Sequence, residues 1–201
     1  LNFVSRSTAS FRTSVLLFQQ NVALVNDSPV IAWKSISNCG YCCNHPFDYD
    51  NKLSVSISDC FGNYTPRKLV NAGDVLAAVP APSGRRLVTI ENRTAQRDVH
   101  VRNGLPRGAI NVHVFRGADL LWRRTSLVPQ QETVFRFEPT LWIGEAPGVV
   151  QGELLSPAFV GTVLTQLPLF GVTSADIVMT GGEPGPDSTP IAFKLSNMER
   201  V

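Results

Sequence analysis

All four cysteines fall in one short stretch, Asn38-Cys39-Gly40-Tyr41-Cys42-Cys43-Asn44-His45 followed by Cys60. Thiols grouped this way support three chemistries. Two disulfides suit an even cysteine count in a β domain of extracellular type, and the expected pairing is Cys39–Cys43 with Cys42–Cys60, because a bond between the neighbours Cys42 and Cys43 is strained. A zinc site is the second possibility: Cys39-x-x-Cys42 has ligand spacing, and Cys43, His45 or Cys60 would complete a tetrahedron. The well-separated second pair of a structural zinc motif is missing, so no metal is expected. A cysteine–histidine nucleophile pair would need proximity that only the fold can supply.

The same stretch interleaves aromatic residues (Tyr41, Phe47, Tyr49, Phe61, Tyr64) with Asn44, Asp48, Asp50, Asn51 and Asn63. Sugars bind by laying an apolar ring face on Tyr or Trp while planar polar side chains take the hydroxyls. Tyr41, Asn44, His45, Asp48, Tyr49, Asn63 and Tyr64 are therefore the candidate ligand-binding residues. The plainer reading of the same composition is a loop pinned for structural reasons.

Other constellations carry less. His100 and His113 fall in predicted strands, and His113 shares a face with Asn111 and Phe115, a polar surface on which a ligand could rest. Neither His-x-His nor His-Glu-x-x-His occurs, nor Gly-x-Ser-x-Gly, nor a nucleotide-binding loop, so no catalytic residue and no cofactor are expected. Glu132, Glu138, Glu145, Glu153 and Asp176 are available to a glycoside hydrolase, but sequence spacing does not set their separation in space.

Arginine supplies 14 of the 18 basic residues and crowds the middle of the chain from Arg85-Arg86 to Arg123-Arg124. An anion-binding surface for phosphate, sulfate or sialic-acid groups is one reading, and solvated outer faces are the other. The net charge of +2 gives no reason to expect nucleic acid as a partner. Of three glycosylation sequons, at Asn26, Asn63 and Asn92, only the last is not followed at once by proline.

The elements that must position these residues are strands. Leu53, Val55 and Ile57 alternate with Ser54, Ser56 and Ser58, which predicts a half-buried strand. Val15 to Phe18, within a segment from Thr13 to Gln20, is apolar on both faces and predicts a central strand. Val30–Ser37, Asp74–Val79, Arg86–Glu91, Arg97–Val101 and Glu132–Glu138 add further strands, and Arg116-Gly117-Ala118-Asp119 marks a hairpin turn from Ile110–Phe115 into Leu120-Leu121-Trp122. Leu141 to Leu169 fits neither period and allows a short helical turn between prolines. Asp176–Thr180 and Pro190–Asn197 predict a hairpin closed by the loop at 181–188. Trp33, Trp122 and Trp142 lie in apolar contexts and are expected in the core.

The expectation is an all-β chain: one two-layer antiparallel β-sandwich domain spanning 1–201, jelly-roll or immunoglobulin-like, with a cysteine-bearing loop at 38–60. No apolar run of about 18 residues suggests a membrane helix, and the first residues lack signal-peptide character. The expected function is a secreted, non-enzymatic binding protein, lectin-like or defence-related, with a glycan or cell-surface ligand. The alternatives are a self-assembling or membrane-active (pore-forming) β protein, which would make a homo-oligomer and meet a membrane surface, and a glycoside hydrolase.

Overall fold

The computed structural model describes residues 1–8, 14–24, 28–82, 84–160 and 164–201. It is all-β, with four sheets of four strands each. The chain divides into two compact units: the first comprises Leu1–Gln19, Val30–Tyr49 and Pro139–Val201, and the second Gln20–Pro29 and Asp50–Glu138. Where a single core is expected from length, each unit has its own.

In the second unit one sheet runs in the order β11 (Asp119–Leu127), β10 (Ile110–Arg116), β5 (Leu53–Ser58), β6 (Lys68–Val70). The other runs β12 (Glu132–Phe135), β9 (Val99–Asn103), β7 (Asp74–Ala81), β8 (Gly84–Asn92). Period two sends Val55, Ile57, Val112, Val114 and Trp122 from the first sheet, and Leu76, Ala78, Val99, Val101 and Phe135 from the second, into one cluster. Each of these side chains larger than alanine contributes about 1.5–3 kcal/mol by leaving water. The Trp122 indole N–H, which would be costly to bury unpaired, donates to Ser28 Oγ at 2.9 Å.

In the first unit one sheet runs β16 (Ala192–Arg200), β15 (Val172–Thr180), β1 (Asn2–Ser5), β4 (Asn44–Pro46), and the other β14 (Thr165–Pro168), β13 (Thr140–Glu145), β2 (Val15–Phe18), β3 (Lys34–Ile36). β2 is central and buried at every position, as its two apolar faces require. Leu16 and Phe18 pack with Ala32, Ala146 and Leu155, and the Phe18 ring stacks on Trp142 at 6.4 Å. The ambiguous stretch resolves into β13, a single helical turn α1 (Pro157–Val160) and β14. Ser156 caps that turn, its Oγ accepting from the Phe159 N–H at 3.2 Å, and Pro157 sits at the first helical position, where a missing N–H costs nothing.

Three expectations need correction. The sheets are not purely antiparallel, because β1 runs parallel to β15 and β7 parallel to β9. The second case arises because β8 ends beside the start of β7, so the short segment 93–98 crosses over and β9 begins at the same end. That crossing is tight: Arg93 N–H donates to Gly73 O, and a Cβ on Gly73, whose φ is +83°, would collide with the Arg93 carbonyl. Of the Val30–Ser37 segment only Lys34–Ile36 is a strand, with Ile31 in an isolated bridge to Leu154. Finally, the serine face of β5 is not open to water, since Ser56 and Ser58 are both buried. The beginning of the expected Thr13–Gln20 strand and the sequon at Asn26 lie outside the described residues.

Candidate functional site

β5 and β10 pair antiparallel with Ser58 opposite Asn111, Ser56 opposite His113 and Ser54 opposite Phe115, so these six side chains share the face turned away from the core. On the other side of β10, Arg123 of β11 stands opposite His113 and joins the same face. Ser58 Oγ and His113 Nε2 share a hydrogen bond of 3.0 Å, and Asn111 Nδ2 donates to Ser58 Oγ at 3.3 Å. Burial, with the Arg123 charge adding to it, holds the His113 imidazole down to about 4, so the ring is neutral at pH 7.

After Ser58 the chain makes a turn built on Asp59. Its Oδ1 accepts the backbone N–H groups of Phe61 and Asn63, each at 2.9 Å, while Oδ2 accepts the Asn63 side-chain amide at 2.9 Å and an Arg85 guanidinium N–H at 2.8 Å. These donors, the Asn63 side chain foremost and the Arg85 charge last, keep the carboxyl near 2. A turn satisfied so completely is rigid, and it projects two rings into solvent: Phe61 is 86% exposed and Tyr64 60%. Tyr64 bridges back to Ser58 through its backbone and lays its ring 4.9 Å from that of His113. Beyond it the Arg67 guanidinium sits 3.7 Å over the Phe115 ring and donates to the carbonyls of Gly117 and Ala118.

The seven sequence candidates thus separate. Asn63 and Tyr64 come together with His113 in the second unit, and the other five belong to the first. There Tyr41, Asn44 and Asp48 are exposed. Asn44 and His45 lie on β4, paired with β1, and the His45 ring tilts against Phe3 at 6.2 Å, its Nε2 buried without a partner among the described residues. Tyr49 presents its ring to Trp33 edge-on at 5.9 Å and accepts from Gln19 Nε2 at 3.1 Å, and Phe47 meets the same indole at 6.0 Å. Phe47 and Tyr49 therefore cover the core rather than a ligand. Sequence does not single out Ser58, Asp59 or Arg67 as site residues, and it offers Arg85 and Arg123 only within the crowd of arginines of the anion-binding reading. Only Asp59 carried a local signal, an Asp preceding Gly62-Asn63 in a turn.

The disulfide expectation is corrected: all four thiols are free. Cys39 is buried and donates to the Ile36 carbonyl at 3.2 Å, and burial pushes its thiol up to about 11. Cys42 takes a left-handed conformation, φ +66°, and is exposed, so the turn sends its thiol into different surroundings. Cys60 is exposed in the second unit. No three of His, Cys, Asp and Glu form a metal-holding group among the described residues, which leaves the zinc alternative without a ligand set. Asn92 Nδ2 donates to Asp74 Oδ1 at 2.7 Å and to the Ala72 carbonyl at 3.4 Å, and glycosylation, which replaces one of its two hydrogens, would remove one of these bonds.

Ser58 and His113 stand at nucleophile–base distance, yet the geometry is wrong for acyl transfer. The hydroxyl is buried, no carboxylate orients Nδ1 among the described residues, and Arg123 opposes the imidazolium that a general base must become. What the site offers is a fixed aromatic and polar surface. No protein-family model, no curated protein and no solved structure matches this chain.

Proposed function

We propose that the protein is a non-enzymatic, lectin-like binding module that takes a glycan on the Phe61–Tyr64 turn of its second unit. The observation that carries this reading is the exposed Tyr64 ring, fixed by the saturated Asp59 turn beside planar polar groups. A ring already held in place loses little conformational freedom on binding, which is how preorganised sites gain affinity. The two sheets of the second unit sharing one core support a β-sandwich of the jelly-roll or immunoglobulin-like kind, although the parallel β7–β9 pair departs from the strictly antiparallel form. Free thiols take away the disulfide argument for secretion, and an extracellular location is proposed on the ligand class alone.

A glycan array probed with the full chain tests the proposal. Binding that falls about tenfold in Tyr64→Ala is expected for the loss of an aromatic anchor. An array without a binder overturns it.

A second reading, self-assembly into a homo-oligomer, is favoured by β8 and β16. Each is a nine-residue outer strand with an unpaired edge among the described residues, the kind of edge that templates pairing with another chain. Light scattering across a concentration series decides this reading, and liposome leakage tests its membrane-active form. No described helix is long and apolar enough to cross a bilayer.

A further inference from the structure

Resting on the glycan reading, we propose that the ligand is an acidic sugar whose carboxylate or sulfate is received by Arg123 and Arg67 beside the Tyr64 ring. Arg123 is half-buried on the face that carries His113, and its guanidinium makes no hydrogen bond or ion pair among the described residues. A partly desolvated guanidinium without a counter-ion is costly, and an anionic ligand removes that cost. Arg67 is held differently, by stacking on Phe115 and by two backbone carbonyls, which fix its orientation, and it has no ion pair among the described residues. The Phe115 and His113 rings, 6.5 Å apart and nearly parallel, connect the two cations beneath Tyr64.

The acid of the turn that carries Tyr64 does not neutralise this face. Asp59 is occupied by Arg85 and the amides of its own turn. The wider field has the same sign: the second unit holds thirteen of the eighteen Lys and Arg but nine of the sixteen Asp and Glu, a balance of +4. Such a field raises the local concentration of anions and favours their encounter. A guanidinium suits both planar carboxylates and sulfates because its fork of N–H donors takes two oxygens at once.

The test measures binding of the full chain to a heparin-derived sulfated oligosaccharide, a sialylated oligosaccharide, and the desulfated and asialo forms of each, at low and physiological salt. At least one anionic form is expected to bind about tenfold more tightly than its neutral counterpart, with the gap narrowing as salt rises. Arg123→Gln and Arg67→Gln should each remove most of that preference while neutral binding persists, and Arg123→Lys should restore part of it; circular dichroism checks that each variant folds. Binding of neutral glycans that depends on Tyr64 but shows no charge preference overturns this inference and leaves the lectin reading standing. Charge preference unchanged in Arg123→Gln places the anion elsewhere and also overturns it. Absence of glycan binding overturns both.

Discussion

The residues just before and just after the boundary at Asp50 have nearly the same composition, aromatic rings interleaved with amides and carboxylates, yet the two units use them in opposite ways. In the first unit Phe47 and Tyr49 turn edge-on to the buried Trp33 and extend its core. In the second, Phe61 and Tyr64 are carried outward by a turn whose carboxylate is fully occupied. What differs is the partner beneath: a large indole takes the rings of the first unit, whereas the Asp59 turn leaves Phe61 in solvent and sets Tyr64 at the surface over His113. Charge sharpens the contrast, since the first unit carries five basic and seven acidic residues, a balance of −2 against +4. An outward-facing aromatic turn and a core-covering loop are thus indistinguishable by composition.

The contrast can be tested at several levels. The largest effect is expected from Trp122→Ala, which empties the centre of the second core and should cost about 3–5 kcal/mol in urea denaturation. Trp142→Ala in the first unit, where the ring is only partly buried, should cost less.

Acid provides the next probe. Because the folded His113 is held near 4 while an unfolded histidine titrates near 6.5, the unfolded chain takes up the proton first as pH falls. Stability is therefore present above about pH 6.5, is lost between there and about pH 4, and falls no further from this group below that, a total of about 3 kcal/mol. His113→Gln keeps a hydrogen-bonding partner for Ser58 and cannot titrate, so its stability profile across this window should be flatter. An unchanged slope would show that His113 is not the group responsible.

Two glycines separate backbone conformation from crowding. Gly73→Ala meets the Arg93 carbonyl as well as an unfavourable φ and should cost about 3 kcal/mol, while Gly62→Ala, at φ +82° with nothing near, should cost about 1–2 kcal/mol. Thermal melts of the two variants compare them directly. The smallest effect is expected from Tyr41→Ala, an exposed ring of the first unit, which should leave glycan binding unchanged where Tyr64→Ala weakens it. Equal losses would erase the distinction between the units.

Much of the local structure was legible. Alternation in Leu53–Ser58 marks β5 at its observed bounds, Gly117 marks the β10–β11 turn, and the stretch after Thr180 marks the β15–β16 hairpin. Pairing was not legible, because nothing within β7 or β1 says that a parallel neighbour will lie beside it. Ser58 meets His113 only once the register of β5 on β10 is known, and Asp59 meets Arg85, 26 positions further along the chain. The thiols were misread for a related reason: cysteine count and spacing do not reveal that a left-handed turn at Cys42 and burial of Cys39 put neighbouring sulfurs in different surroundings. The sequence groups His113 with Asn111 and Phe115, but of the two arginines that give its face a sign one comes from β11 and the other from the segment just before β6.

The parallel seat of β1 between β15 and β4 bears on how the protein is made. Asn2 bonds to Asp176, 174 positions later, so during synthesis at roughly 5–20 residues per second this strand waits on the order of 10–30 seconds for its neighbour to emerge. Residues 50–138 have no such delay. The nascent chain consequently carries β1 with only its β4 edge filled past a region able to collapse early, and a translation product cut short before Val172 would leave the other edge open and prone to clump.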